Sequence, residues 1–296
     1  MEQTKPFQLV VFEGDFSLPS VDPECIKSIL YTTAAGVPVE VKLFNNIKHC
    51  TLFSAPSLVH KNVQFKSFSD VVLYLKTLNY YLDGNLTPKE ASESLALTTL
   101  VQSKLRPLVE YNYWVDVRNV HELTNIWFMR SLPIPFNYIY TRKFKDRAAN
   151  LIETLHPAET NSDVIKEFLQ RAATDCLSNL SARLGNSDYF YGDSPTTLDV
   201  TVYSYIAPLL KIPFPSNEMK NVITMWPNLM NLVKRIDSKH FSNLPKGSKY
   251  IKLEEKVKTA DDEVSYIAIL ILTLSATSLV LGFAYTRGFL SHRLLD

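Results

Sequence analysis

The sequence predicts an α/β domain followed by an all-α domain, with one transmembrane helix on the C-terminal side. Three observations support this fold class. Strand and helix patterns alternate at first, strand patterns vanish after Thr87, and a long uncharged apolar run starts at Val264. We predict the α/β domain over residues 1–82, the helical domain over 87–245, a linker over 246–263, the transmembrane helix over 264–286 and a short tail over 287–296.

The first domain shows the pattern strand, helix, strand, hairpin, helix. A strand is predicted at residues 8–12, and Asp22 followed by Pro23 is an N-cap with proline at the first helical position. A second strand follows Gly36, and a hairpin over residues 56–65 precedes another helix. This order of elements is that of a thioredoxin-like domain.

Helix-start signals divide the second domain. Thr87 and Glu90 form a capping box, which marks the domain boundary, and Thr196 and Asp199 form a second box before another apolar helix. Residues 163–184 place apolar side chains at helical spacing on one face, namely Ile165, Phe168, Leu169, Ala172, Cys176, Leu180 and Leu184. We therefore expect this long helix to pack against the core of a helical bundle.

The apolar run is predicted to be a membrane anchor. It extends from Val264 to Tyr285 without a charged residue, long enough for a hydrocarbon core of about 30 Å. A buried core helix is the alternative interpretation. Arg287 and Arg293 follow the run, whereas five lysines precede it, at positions 246, 249, 252, 256 and 258. The excess of positive charge before the run predicts that the preceding domains face the cytosol.

Composition excludes several classes of function. The 296 residues are 46% hydrophobic with a formal charge of +1, so nothing favours nucleic acid as a partner. Cys25, Cys50 and Cys176 are widely spaced, which argues against a disulfide framework or a zinc site. The histidines lack metal-ligand spacing, and no glycine-rich phosphate loop is present. We therefore predict no metal and no cofactor.

Several local patterns resemble the glutathione transferase superfamily. Pro56 lies in a segment similar to the turn that carries a cis proline before the third strand of that fold. Thr196 and Asp199, shortly after Gly192, are similar to its buried capping box. Trp226 and Pro227 are similar to the start of a late helix in that fold. The resemblance implies a glutathione-transferase-like C-terminal domain, with Pro56, Thr196 and Asp199 in structural roles.

The resemblance also identifies where catalysis would occur. Glutathione transferases activate the sulfur of glutathione with a Tyr, Ser or Cys after the first strand, and the candidates here are Ser17, Ser20 and Cys25. We expect turn or capping roles for the serines and a core position for Cys25. The pair that holds the γ-glutamyl group is Glu/Gln-Ser in the superfamily, whereas Lys66-Ser67, or the pair one position later, aligns here. We therefore predict no catalytic residue and a cleft that has lost its ligand.

A closer resemblance, to tail-anchored metaxins, covers almost the whole chain. It is carried by residues 18–22, 113–116, 133–137, 183–185 and 189–199, which read LPSVD, YWVD, PIPFN, RLG and YFYGDSPTTLD. The resemblance implies a protein of the mitochondrial outer membrane, with its body in the cytosol and its tail in the intermembrane space. It implies a second metaxin and the β-barrel core of the sorting and assembly machinery as partners, with a link to complexes that bridge the two mitochondrial membranes.

Aromatic and basic residues concentrate between residues 111 and 145. We predict a partner-binding surface there, formed by Trp114, Trp127, Pro133, Pro135 and Phe136. An irregular core with a basic surface is the alternative reading of the same composition.

Three hypotheses for function remain open from the sequence. The first is a non-enzymatic subunit that supports insertion of β-barrel precursors. The second is a tail-anchored glutathione-dependent transferase, and the third is an adaptor for mitochondrial transport or membrane contacts. The transferase requires a residue that activates a thiol, whereas the adaptor makes no chemical prediction.

Overall fold

The computed structural model describes residues 6–157, 159, 161–245, 247–251 and 277–278. The chain divides into two compact units, Met1–Lys252, which we call the body, and Leu253–Asp296. The predicted linker from residue 252 onward, the transmembrane helix and the tail lie outside the described residues, except for Thr277 and Ser278, which are helical. Among the residues described, no helix is long and apolar enough to cross a bilayer.

A four-stranded mixed sheet organises the first domain. Its strands are β1 Phe7–Val11, β2 Val39–Leu43, β3 Ser57–His60 and β4 Val63–Phe65, in the order β2-β1-β3-β4. Strand β1 pairs parallel with β2 and antiparallel with β3, and β3 pairs antiparallel with β4. β1 lies inside the sheet, and Leu9, Val10 and Val11 are fully buried. The predicted alternation of elements is confirmed.

Three helices accompany the sheet, α1 Pro23–Ala34, α2 Ile47–Leu52 and α3 Phe68–Thr77. Asp22 caps α1 as predicted, since its carboxylate accepts the backbone N–H of Cys25 at 2.8 Å. The sequence did not predict α2. This helix is capped by Asn46 and buries only Cys50, so it lacks the apolar periodicity of a longer helix.

The second domain is helical throughout its described residues apart from turns and one isolated bridge. Its elements are α4 Pro88–Leu100, a π-helical turn Val101–Leu105, α5 Arg106–Trp114, α6 Val117–Asn119, a second π-helical turn Val120–Thr124, α7 Asn125–Ser131, α8 Phe136–Leu155, α9 Ser162–Leu184, α10 Thr197–Lys211, α11 Met219–Ile223 and α12 Pro227–His240. The capping box of Thr87 and Glu90 starts α4 as predicted.

Helices α9 and α10 contribute much of the helical core. Leu169, Cys176, Leu180 and Leu184 of α9 are buried as predicted. The prediction was wrong for Phe168, which is 49% exposed and stacks on His156 instead of entering the core. Helix α10 is buried almost all round and contacts α1, so it joins the helical domain to the α/β domain.

Residues 247–251 form a segment, here called the C-terminal strap, that lies against the loop after β1. The side chain of Ser248 and the backbone N–H of Lys249 donate to the Asp15 carboxylate at 2.6 and 3.1 Å. The Lys249 ammonium and the Tyr250 hydroxyl donate to Glu13 at 2.7 and 2.5 Å. The strap therefore contacts the body although it follows residue 245, where the helical domain is predicted to end.

Candidate functional site

A cleft of about 910 Å³ lies between α3 of the α/β domain and α4 of the helical domain. Pro56 lines it, and the Ala55–Pro56 peptide bond is cis, as predicted. Apolar side chains of both domains form its walls, with Leu73 and Leu95 at 63% and 70% exposure. Charged side chains line it as well, namely Asp22, Glu24, Lys27, Lys66, Asp83, Arg106, Lys143 and Arg147.

The start of α3 provides the position where glutathione transferases hold the γ-glutamyl group. Lys66 and Ser67 line the cleft there, and both are exposed. Ser67 occupies the N-cap position of α3 without making a side-chain capping bond. Lys66 places a positive charge at this end of the cleft, which would repel the ammonium of a γ-glutamyl group.

The three candidate nucleophiles do not line this cleft. The buried Ser20 hydroxyl accepts the backbone N–H of Asp22 at 3.3 Å, and the backbone carbonyl of Ser17 accepts the Lys211 ammonium at 3.0 Å. Cys25 is fully buried, and burial raises the pKa of its thiol well above the usual value, with a further contribution from Asp22. Within the described chain, none of the three is an activated nucleophile facing the cleft.

An ion pair whose lysine is buried lines part of the cleft. The ammonium of Lys27, whose side chain is 2% exposed, donates to the Glu24 carboxylate at 2.8 Å. The Tyr205 hydroxyl of α10 donates to the same carboxylate at 2.6 Å. Burial raises the pKa of Glu24, but the charge and hydrogen bond of Lys27, the hydrogen bond from Tyr205 and the charge of Arg106 together outweigh it, so the pKa is lowered. This cluster fastens α1 to α10 across the domain boundary.

A second charged cluster lies beside the first. One guanidinium nitrogen of Arg147 contacts both Glu110 oxygens, at 3.0 and 3.1 Å, and the Arg106 guanidinium approaches Glu110 at 3.7 Å. Burial raises the pKa of Asp22 to about 6, although Arg147 opposes the shift. Most of these cations thus form ion pairs with the carboxylates beside them. Lys66 and Lys143 also line the cleft, and they form no ion pair among the described contacts.

The raised pKa of Asp22 gives a testable pH dependence. The folded-state pKa of Asp22 exceeds the ordinary value of 3.8, so the protonated carboxyl stabilises the folded state at pH values below 3.8. This stabilisation is lost as the pH rises toward 6. Asn is an equally good N-cap and does not titrate. In Asp22→Asn, stability relative to the unchanged chain should improve by up to about 3 kcal/mol between acidic and neutral pH. Urea unfolding of both proteins across that range measures it, and parallel profiles would contradict it.

The predicted partner surface requires correction at its two tryptophans. Trp114 and Trp127 are 7% and 0% exposed. The Trp127 indole donates to Asp15 at 2.7 Å, and Trp114 packs against Phe128 and Phe144. Both rings belong to the core because burying a large aromatic side chain stabilises the fold more than any surface position would. They cannot contact a partner.

The other three residues of that prediction lie at the turn between α7 and α8. Pro135 is exposed, while Pro133 and Phe136 are half-buried. Three neighbours that the sequence prediction omitted are more than half exposed, namely Ile134, Tyr138 and Ile139. Pro133, Pro135 and Phe136 therefore lie together at this turn, whereas the two tryptophans lie in the core.

The second capping box is where the sequence placed it. Asp199 is fully buried, and its carboxylate accepts the backbone N–H and hydroxyl of Thr196, both at 2.8 Å. It also accepts the backbone N–H of Phe190 at 3.1 Å. Burial raises the pKa of Asp199 to about 6 despite these bonds. The box joins the start of α10 to the segment before it and carries no chemistry. Across the described residues, no group of three His, Cys, Asp or Glu side chains could hold a metal ion.

Sequence comparison relates the chain to two families. Residues 25–145 match the family described as outer mitochondrial membrane transport complex protein, and residues 173–236 match the glutathione S-transferase C-terminal domain. Metaxin-3 of Danio rerio is 30% identical over 242 residues, which cover 81% of this chain and 77% of the relative. Metaxin-1 of Mus musculus is 25% identical over 294 residues, covering 97% and 92%.

Solved structures share the fold. A glutathione S-transferase of Ceriporiopsis subvermispora aligns with a TM-score of 0.53 at 13% identity, covering 80% of this chain and 100% of that one. A glutathione transferase family member from Pseudomonas fluorescens aligns at 0.51 and 11% identity, covering 81% and 91%. At such identities the likeness shows the fold alone. The predicted glutathione-transferase-like fold, with a small mixed sheet and a helical C-terminal part, is confirmed.

Proposed function

The chain belongs to the metaxin family, and from this membership we propose that it is a non-enzymatic subunit of the sorting and assembly machinery of the mitochondrial outer membrane. In this role it supports import and insertion of β-barrel precursors. The observation that carries the proposal is the similarity to metaxins across most of the body. The match of residues 25–145 to an outer mitochondrial membrane transport complex protein supports the same role.

The cleft supports a role without chemistry. In the described chain, the candidate nucleophiles Ser20 and Cys25 are buried and engaged, and Ser17 does not line the cleft. Lys66 opposes binding of the γ-glutamyl ammonium. A fold of glutathione-transferase type can thus serve as a binding scaffold, because fold alone does not fix function.

The proposal includes a membrane arrangement and partners. Residues 264–286 anchor the chain in the bilayer, the body faces the cytosol, and residues 287–296 lie in the intermembrane space. The lysines before the apolar run support this orientation. The proposed partners are a second metaxin, the β-barrel core of the machinery and complexes that bridge the two membranes, with no nucleic acid among them.

Depletion of the chain from cells that express it tests the proposal. Assembly of an outer-membrane β-barrel channel should slow, while import of a precursor destined for the matrix continues as a control. Crosslinking mass spectrometry on mild-detergent extracts should recover a second metaxin. Normal barrel assembly after full depletion would refute the proposed role.

The proposed anchor makes a separate prediction about targeting. Replacing Arg287 and Arg293 by serine, or Ser275, Thr277 and Ser278 by leucine, should shift a fluorescent fusion of residues 246–296 toward the endoplasmic reticulum. Each leucine near the helix centre favours insertion by about 0.3–0.6 kcal/mol. Confocal microscopy is the measurement. Mitochondrial labelling by both variants would show that the targeting information lies elsewhere.

A glutathione-dependent transferase is the second candidate function. One observation favours it, namely the cleft beside a cis Pro56 in a fold shared with glutathione transferases. Calorimetric titration with glutathione and a conjugation assay distinguish the two. We expect neither heat of binding nor turnover. Turnover that is lost in Ser17→Ala would establish the enzyme. The remaining hypothesis, an adaptor for mitochondrial transport or membrane contacts, depends on partners that crosslinking identifies.

A further inference from the structure

The turn between α7 and α8 exposes a compact set of apolar and cationic side chains. Ile134 is 72% exposed, Tyr138 60% and Ile139 53%. Arg142 and Lys143 follow one turn later on the same helix, and positions four apart share a helix face. We call this set the α7–α8 surface; it consists of Ile134, Pro135, Tyr138, Ile139, Arg142 and Lys143.

Hydrogen bonds from beneath hold the backbone of this surface. The side-chain amide of the buried Asn137 donates to the backbone carbonyl of Met129 at 3.2 Å and accepts the backbone N–H of Tyr138 at 2.9 Å. The hydroxyl of Thr141 donates to the carbonyl of Asn137 at 2.7 Å. The apolar side chains are therefore presented outward by a fixed turn, which lowers the entropic cost of binding whatever covers them.

The C-terminal strap is bonded to α7, the helix that precedes this surface. The guanidinium of Arg130, four residues before Ile134, donates to the backbone carbonyl of Tyr250 in the C-terminal strap at 2.7 Å. The strap ends at Ile251, and the apolar run begins at Val264. The twelve residues between them reach at most about 40 Å when fully extended. A membrane that holds the run is thus within reach of the surface.

On the basis of the proposed membrane anchor, we propose that the α7–α8 surface lies against the phospholipid headgroups of the same membrane. Aliphatic side chains with a tyrosine and cations are the composition of segments that lie at a bilayer surface. Anionic headgroups attract cations placed there. The Arg142 guanidinium lies 3.7 Å from the Asp146 carboxylate, and the two side chains are 86% and 66% exposed. Lys143 forms no ion pair among the described contacts.

A protein partner is the competing occupant of this surface. Protein hot spots are built on large buried anchors, tryptophan above all. Here Trp114 and Trp127 lie in the core, so the surface offers aliphatic side chains, one tyrosine and cations. The strap favours the bilayer, because it is bonded to the helix before this surface and the segment that leads to the proposed anchor follows it.

Fluorescence depth measurement on the full chain in vesicles tests this proposal. Ile134→Cys and Met225→Cys create single labelling sites of similar exposure, 72% and 73%, and the three native cysteines are buried. Each variant carries an environment-sensitive fluorophore and is reconstituted in phosphatidylcholine vesicles containing phosphatidylinositol and a nitroxide-labelled lipid. Quenching should be several-fold stronger at Ile134→Cys than at Met225→Cys. Adding Arg142→Ser and Lys143→Ser should reduce it.

The outcomes separate this inference from the anchor. Equal, weak quenching at both positions on vesicles that carry the protein would overturn the headgroup contact and leave the anchor intact. A blue-shifted but unquenched label at Ile134→Cys would assign the surface to a second protein copy instead of lipid. Protein that does not float with the vesicles would overturn the anchor and this inference together.

Discussion

Glu24→Ala is expected to destabilise the body by about 3 kcal/mol. The substitution leaves the Lys27 ammonium, 2% exposed, without its carboxylate partner. The Tyr205 hydroxyl loses the acceptor of its 2.6 Å hydrogen bond at the same time. Aromatic faces remain near Lys27, with Phe68 and Tyr205 at 5.4 and 4.7 Å, but they do not replace a carboxylate. Denaturant unfolding of residues 1–252 measures the loss.

Two controls isolate the cost of the unpaired charge. Lys27→Met added to Glu24→Ala should recover much of the stability, because a methionine of similar volume carries no charge into the site. Glu122→Ala removes a carboxylate from Arg118 on the surface, where both side chains are more than half exposed, and should change stability little. If Glu24→Ala and Glu122→Ala cost the same, Lys27 is solvated and the proposed basis of the effect is wrong.

Asp199→Ala should destabilise the body by about 3 kcal/mol. The change leaves the backbone N–H groups of Thr196 and Phe190 inside the protein without their acceptor. It also opens a small void at a fully buried position, which adds to the loss. A lower thermal midpoint of residues 1–252 is the expected result.

The exposed capping box of the same chain provides the matched control. Glu90 accepts the backbone N–H of Thr87 at 2.8 Å at the start of α4, as Asp199 does for Thr196. Its donors face water, which satisfies them when the carboxylate is removed. Glu90→Ala should therefore lower the midpoint much less than Asp199→Ala. Equal thermal midpoints for the two variants would mean that burial does not determine how much stability is lost when the carboxylate of a capping box is removed.

Local signals predicted the parts of this fold whose cause is local. The box of Thr196 and Asp199 lies within four residues, and the turn before Pro56 is a short segment with a recognisable pattern. Asp22 and Pro23 indicate the start of α1 in the same way. Such features depend on the backbone around them, so the sequence contains nearly all the information that determines them.

Side-chain burial was harder to predict because it depends on the whole fold. The aromatic and basic stretch that includes Trp114 and Trp127 has the composition of an interface, yet both rings fill the core. Composition cannot distinguish the two, since cores and interface centres use the same aromatic residues. Phe168 shows the opposite error. Its position at helical spacing predicted burial in the core, but its side chain is half exposed.

Contacts between distant residues were missed altogether. Asp15 is bonded to Trp127, 112 positions later, and to Ser248, 233 positions later. Ser248 and Lys249 looked like the start of a solvated linker because nothing near them in sequence indicates a docking site. The charged lining of the cleft was missed for the same reason, because Glu24 and Tyr205 come into contact only when α1 and α10 pack together.

The C-terminal strap determines where a pulling force would enter the body. Tension on the chain beyond Ile251 meets first the bond from Arg130 to Tyr250 and the two bonds that Glu13 accepts. Glu13 lies two residues after the end of β1, which pairs with a strand on each of its edges. The load therefore passes into α7 and into the edge of the loop that leads from β1. A body tethered through this segment would bear mechanical strain through α7 and through an interior strand of its sheet.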